Sequence, residues 1–293
     1  MKVLNSSELN NYIIPKKTAV ALGSFDALHK GHMHIIGKMV AYASENGLTA
    51  MVQLVEFPSG VRVNSTEKRM EILESAGVEC VVIEEFTEDF RKVSYRDFIK
   101  GFLKERYNAA AVFAGENYRF GYMAEGDTHK LEAECGRLGI KTEIASCLEI
   151  DGIISSTKIR EFIKSGDMEK VTEYMGRPFS VIGTVVHGKA LGRTIGFPTA
   201  NINIPERMVI PREGVYLTEV CVDGVSFKGI TNLGAKPTVN TEKFNIETYI
   251  ADFDRDIYGE KIEVRFLKRI RDIIRFASLN ELKKQLEEDK MNL

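Results

Sequence analysis

The stretch G-S-F-D-A-L-H-K-G-H, residues 23–32, follows the short apolar run T-A-V-A-L at 18–22 and leads into H-M-H-I-I-G-K-M-V-A-Y-A at 32–43. The first run has the length and composition of a buried strand, and the second has the apolar spacing of a helix. A glycine-bearing turn that feeds a helix N-terminus presents unpaired N–H groups and the positive end of the helix dipole, a natural seat for phosphate. Gly23 and Gly31 let backbone approach a ligand, Phe25 and Asp26 sit inside the turn, and His29 and His32 add imidazole donors. Alone, H-x-x-H reads equally as two histidines that pack or cap a helix, or as a metal pair.

Working outward from this turn, residues 1–165 alternate between short apolar runs and helical stretches. Strands are expected at 48–55, 80–83, 109–114 and 141–145, with helices at 67–76, 95–107 and 128–138. Ser94 followed by Asp97 gives the 95–107 helix a start like a capping box. This βαβα order predicts an α/β doubly wound parallel sheet, Rossmann-like, which binds ligands beyond the carboxyl ends of its strands. The opening turn sits at such an end.

After a helical stretch at 157–174 the character changes. Segments rich in Val, Ile, Thr and Tyr at 180–186, 214–222, 226–231, 243–251 and 261–268 are separated by Gly and Pro turns. That spacing predicts a small antiparallel β-barrel. A closing helix is expected after Ser278, with Glu281 in the capping-box position. The expected domains are 1–178 and 179–293.

Composition narrows the possibilities. A net charge of −2 argues against an electrostatic nucleic-acid binder. No stretch has the length of a membrane span and residues 1–10 lack an apolar signal region, so a cytoplasmic protein with small-molecule partners is expected. The four cysteines have no C-x-x-C spacing and read as reduced, mostly buried thiols.

Residues 23–32 resemble the G-x-F-D-x-x-H-x-G-H signature of adenylyl- and cytidylyltransferases, whose two histidines contact nucleotide phosphates. The companion signature of such enzymes, I-S-S-T-x-x-R, stands at 154–160. The resemblance implies that Gly23, Phe25, Asp26, Gly31, Ser156 and Thr157 bind nucleotide, and that His29, His32 and Arg160 stabilise a transferring phosphoryl group.

In the second half, G-K-A-L-G-R-T-I-G-F-P-T-A-N at 188–201 places Gly188, Gly192 and Gly196 before a P-T-A-N tetrapeptide, without the Walker spacing. Singly, such glycines are common in β proteins, P-T-A-N reads as a turn, and a Glu in an alternating strand reads as its solvated face. Together with P-R-E-G-V-Y at 211–216, N-L-G-A-K-P-T at 232–238, E-T-Y at 247–249 and R-x-x-x-R-F at 271–276, the pattern closely resembles the riboflavin kinase domain, a Greek-key barrel. By position, Thr199 and Asn201 would hold Mg²⁺ beside ATP, with Gly188, Gly192 and Gly196 near the nucleotide. Glu247 would be the general base. Arg271, Arg275 and Phe276 would help close over the flavin.

Both halves in this order resemble the bacterial bifunctional riboflavin kinase and FAD synthetase. The resemblance implies that riboflavin and ATP give FMN in the C-terminal domain, and that FMN and ATP give FAD and pyrophosphate in the N-terminal one. Two other readings fit parts of the pattern: a riboflavin kinase with a degenerate flavin- or nucleotide-binding N-terminal module, and an unrelated nucleotidyltransferase with an RNA-binding barrel. The chain departs from the family pattern at Ala27 and Leu28, at V-E-F-P-S-G (55–60), which lacks the family's histidine, and at Asn117, where aspartate is usual. These departures fall at the expected flavin or adenine pocket of the N-terminal half, with Asn117 among its flavin-binding candidates.

Overall fold

The computed structural model describes residues 1–10, 12–188, 192, 196–204, 207–236 and 243–293. Parts of two expected motifs, residues 189–191 and 193–195 of the glycine-rich stretch and Pro237 and Thr238, lie outside them. The described chain forms two compact units, Met1–Gly60 with Thr66–Ser155, and Val61–Ser65 with Ser156–Leu293.

The first unit is built on a six-stranded parallel sheet. Its strands are β1 (Lys2–Asn5), β2 (Thr18–Gly23), β3 (Thr49–Glu56), β4 (Cys80–Glu85), β5 (Ala109–Gly115) and β6 (Lys141–Ala145), in the order β1-β4-β3-β2-β5-β6. The chain builds outward from β2 to β3 and β4, then crosses to the other side of β2 to lay down β5 and β6. That reversal opens a crevice beyond the carboxyl ends of β2 and β5. The central strands are buried on both faces, hence their continuous apolar runs. One face carries a core of Val20, Leu22, Met51, Val112 and a cluster of aromatic rings; the other packs Ala21, Val52, Leu54 and Phe113 against Ile36 and Met39 of the helix Lys30–Asn46. Strand β1 had no counterpart in the sequence reading, because K-V-L-N is too short to show a period.

The segment expected as one helix at 95–107 is α-helical only over Tyr95–Asp97 and continues as a π-helix over Phe98–Arg106. Its last bond, Tyr107 N–H to the Phe102 carbonyl at 2.8 Å, spans five residues. Widening brings Phe98, Phe102 and Tyr107 into one aromatic cluster with Phe90 and Phe120. Buried beside it, the Tyr107 hydroxyl donates to Glu84 at 2.8 Å and accepts from the Gln53 amide at 3.0 Å. Burial and the Glu84 carboxylate hold this phenol well above its ordinary range.

The second unit is a closed antiparallel barrel in the order β10-β11-β8-β7-β12-β9. Its strands are β7 (Phe179–Val186), β8 (Thr199–Asn203), β9 (Gly214–Val222), β10 (Val225–Lys236), β11 (Lys243–Ile250) and β12 (Lys261–Arg271). Inward positions hold Ile202, Val220, Leu233, Ile246 and Phe266, and three threonines, Thr218, Thr231 and Thr248, satisfy one another by hydroxyl bonds of 2.8 and 2.9 Å.

The expected single helix at 157–174 is two, Ser156–Ser165 and Met168–Met175. Gly166 breaks them at φ +85°, and a Cβ there would lie 2.6 Å from Arg269 Cδ. Asp167 restarts the chain by accepting from Lys170 N–H at 3.0 Å. The second helix buries Met168, Val171, Tyr174 and Met175 and packs on β7 and β12. The packing division at 155/156 thus precedes the change in sequence character near 178.

The closing helix Leu279–Lys290 starts as expected, with Ser278 accepting from Glu281 N–H at 3.3 Å. All four thiols are free, and burial pushes Cys80 and Cys135 up to about 11, which keeps them protonated and inert.

Candidate functional sites

The turn after β2 is locally strained and tightly packed. Phe25 and Leu28 are left-handed at φ +44° and +46°, and both are buried. Gly23 eases the packing of Phe25, because a Cβ would stand 3.1 Å from its ring. Gly31 plays the same part for His29, whose ring would be 3.2 Å from a Cβ. His29 caps the helix Lys30–Asn46, its Nδ1 accepting from His32 N–H at 3.2 Å. A nitrogen that accepts carries no proton, so the neutral His29 ring bears its hydrogen on Nε2. The two imidazoles stack at 3.6 Å, and Phe25 holds His32 edge-on at 5.1 Å. Asp26 is buried beside them. Ala27 is fully buried and does not have positive φ, so its methyl is absorbed by the interior without backbone strain.

Asn117 follows β5, on the other side of the crevice from the turn after β2. It is exposed, and its Oδ1 would lie 3.3 Å from a Cβ at Gly115. Residues 57–60 make a tight turn closed by Gly60 N–H to the Phe57 carbonyl at 3.1 Å, with the half-exposed Phe57 ring 4.8 Å from Phe86. Ser156, Thr157 and Arg160 lie in the first turns of the helix Ser156–Ser165, within the second unit.

In the barrel, P-T-A-N is the start of β8. Thr199 and Asn201 point to the same outward face, and in register with β11 they stand opposite Tyr249 and Glu247. Asn232 of β10 continues the row beside Glu247. Asn201 is buried at 4 % exposure, and a Cβ at Gly188 would lie 2.4 Å from its Nδ2. Gly192 is equally constrained, since a Cβ would fall 2.1 Å from the Phe197 carbonyl oxygen, and Gly196 has φ +84°. Gly188 and Gly192 thus answer to packing around Asn201 and Phe197, and Gly196 to backbone conformation.

Sequence reasoning missed two features. One is Asn245, buried at 5 % exposure, whose amide donates to Asn201 Oδ1 at 2.9 Å and to Glu247 Oε1 at 3.0 Å. Its signal was the N-I-E spacing, which puts residues 245 and 247 on one face of a strand. The other is a cleft of ≈ 360 Å³ beside Thr199, lined by Val185, Pro198, Ile250, Phe253 and Tyr258. The Tyr258 ring stacks on His187 at 3.9 Å. Arg255, also lining the cleft, is held by Asp223 at 2.6 Å and Glu260 at 3.0 Å.

Of the candidate flavin residues, Arg271 is committed to Asp289 of the closing helix through contacts of 2.6 to 3.2 Å. Arg275 is exposed and Phe276 half-buried in the irregular segment before that helix, which also exposes Ile273 and Ile274. Among the described residues no cluster of three His, Cys, Asp or Glu side chains could hold a metal, and no helix is long and apolar enough to cross a membrane.

Residues 12–158 match the FAD synthetase family and residues 175–293 the riboflavin kinase family. The bifunctional riboflavin kinase/FMN adenylyltransferase of Haemophilus influenzae is 33% identical over 283 residues, spanning 92% of this chain and 91% of that protein. Its namesake from Bacillus subtilis is 33% identical across 94% of this chain and 90% of its own length, and that from Listeria monocytogenes 34% across 93% and 90%. Among solved structures, a macrolide-efflux protein from Streptococcus pneumoniae superimposes with a TM-score of 0.90 at 29% identity, covering 99% of this chain and 98% of that one.

Proposed function

This chain belongs to the bifunctional riboflavin kinase/FMN adenylyltransferase family, and from that premise we propose how its own residues perform the two steps. It is an enzyme that phosphorylates riboflavin to FMN with ATP and then adenylylates FMN to FAD, releasing pyrophosphate. The observation that carries the kinase step is the facing pair Asn201 and Glu247 on adjacent strands, with Thr199 two residues along the same face.

In the kinase step Glu247 orients the riboflavin 5′-hydroxyl and takes its proton as the oxygen attacks the γ-phosphate of ATP, with ADP leaving. Thr199 and Asn201 are hard oxygen donors and fit Mg²⁺, which takes few protein oxygens beside substrate phosphates and water. The ion supplies neutralisation of phosphate charge when bound. The cleft beside Thr199, with the Tyr258 ring and both apolar and charged side chains in its wall, suits the nucleoside end of ATP. Arg275 and Phe276 sit on a segment suited to cover the flavin, whereas Arg271 acts by anchoring the end of that segment to Asp289.

In the adenylylation step an FMN phosphate oxygen attacks the α-phosphorus of ATP and pyrophosphate departs, with no covalent enzyme intermediate. His29 with its proton on Nε2, His32 and the N–H groups opening the helix Lys30–Asn46 supply donors for the charge that spreads over the α-phosphoryl oxygens. The motif resemblance gives Ser156, Thr157 and Arg160, at the start of their own helix, the part of hydroxyl and guanidinium donors to nucleotide phosphate. Asn117, at the mouth of the β2/β5 crevice, contacts flavin. The protein acts in the cytoplasm on small molecules and has no nucleic-acid partner. Incubation of the chain with riboflavin and MgATP, followed by chromatography, is expected to show FMN rising first and FAD following; a chain that never forms FMN contradicts this reading.

A further inference from the structure

We infer that Asn245 is a positioning residue of the kinase site: its amide fixes which atom Asn201 presents and holds the Glu247 carboxylate beside it. The inference rests on the roles given above to Asn201 and Glu247. A carboxylate can only accept, so the Asn245 group 3.0 Å from Glu247 Oε1 is its nitrogen. That same nitrogen lies 2.9 Å from Asn201, which therefore turns its carbonyl oxygen toward it. Each hydrogen of one NH₂ group is thereby used. Gly188 lies against the same amide, where a Cβ would come within 2.4 Å of the Asn201 nitrogen and 2.9 Å of its oxygen.

The consequence is chemical. An amide can rotate to exchange oxygen for nitrogen at little steric cost, and nitrogen is no ligand for a hard cation. With Asn245 donating, only the oxygen-forward orientation satisfies the buried pair, and the oxygen keeps a second lone pair. Without that donor, two acceptors face each other in a site where Asn201 and Asn245 are 4 % and 5 % exposed. Asn245 stands opposite Asn203 on β8 and Gly234 on β10, and a Cβ at Gly234 would lie 2.9 Å from Ile273 Cδ1, so no bulkier residue shares its row on that side.

The test compares Asn245→Asp, Asn245→Ala and Asn245→Ser in the full chain. Asp is close in size but accepts where Asn donates, so it inverts the Asn201 amide. We expect kcat for FMN formation to fall about 100-fold with Asp and Ala, and about 10-fold with Ser, whose hydroxyl restores one donor. FAD formation from supplied FMN should stay at the wild-type rate. A second readout is free of turnover: Mg²⁺ should increase the thermal stabilisation given by ADP in the wild type and no longer do so in Asn245→Asp. Wild-type kcat in the Asp and Ala variants overturns the inference. So does a loss of kcat with the Mg²⁺-dependent stabilisation intact and Ser no better than Ala, the mark of packing alone. If Asp prevents folding, Ala and Ser decide. Glu247→Gln and Asn201→Ala run alongside: if they keep FMN formation the site assignment itself fails, whereas if they lose it and the Asn245 variants do not, only this inference fails.

Discussion

Gly188 and Gly31 play one part in the two proposed sites: each leaves space beside a side chain to which a role is assigned there, Asn201 and His29. A methyl at 188 meets Asn201 at 2.4 Å, and one at 31 meets the His29 ring at 3.2 Å. The first contact is impossible without displacement and the second is merely tight. Gly188→Ala is therefore expected to cut FMN formation by at least about tenfold, measured as kcat from riboflavin, while FAD formation from FMN persists. His32→Ala should do the reverse, lowering FAD formation from FMN by about 100-fold or more and sparing FMN formation, as expected when a donor to the transferring phosphoryl group is lost. Loss of both activities in either folded variant would contradict separate sites.

At the scale of elements, the buried polar group where β3, β4 and the π-helix meet should matter for stability. Tyr107→Phe removes one hydroxyl that serves both Glu84 and Gln53. With two buried partners left short, the expected loss is about 1–3 kcal/mol in urea unfolding; an unchanged midpoint would show that the pair finds other partners. A pH effect belongs to the helix Thr128–Arg137. Asp127 caps it by accepting from Lys130 N–H at 2.9 Å, and that bond holds the carboxyl below its ordinary value. A depressed folded-state value gives stability that is full above the unfolded value of about 4 and is lost as pH falls through the folded one. Asp127→Asn keeps the cap without titrating. Any advantage of wild type over this variant in melting temperature should therefore shrink or reverse between pH 5 and pH 2.5.

Elements with strong periods were legible in the sequence, and those fixed by distant partners were not. The β2 run, the turn after it and the helix that follows are local and apolar. Strand β8 was hidden because P-T-A-N carries turn residues, and only its pairing with β11 makes it a strand. The π-helix follows from rings contributed by Phe90 and Phe120, outside its own segment. The break at Gly166 answers to Arg269, about a hundred residues on in the chain. At the proposed kinase site, Asn201 and Glu247 are nominated by motif resemblance, whereas Asn245 is brought in only by the pairing of β8 with β11. The cleft beside Thr199 combines side chains from β7, β8 and the segment after β11, which no single stretch reveals.

For the whole molecule, two architectures on one chain divide one biosynthetic route: a parallel sheet with a crevice beyond the carboxyl ends of β2 and β5, and a closed barrel whose outer face sets Thr199 and Asn201 beside Glu247. Family matches over 12–158 and 175–293, and relatives alike over more than nine-tenths of this chain, support both activities together. The central claim, two consecutive steps at independent sites, is tested most directly by giving the Glu247→Gln chain each substrate in turn with MgATP and separating the products by chromatography. The account predicts no FMN and no FAD from riboflavin, but FAD and pyrophosphate at the wild-type rate from FMN. FMN formed from riboflavin at an undiminished rate, or FMN left unconverted by the folded variant, would contradict it.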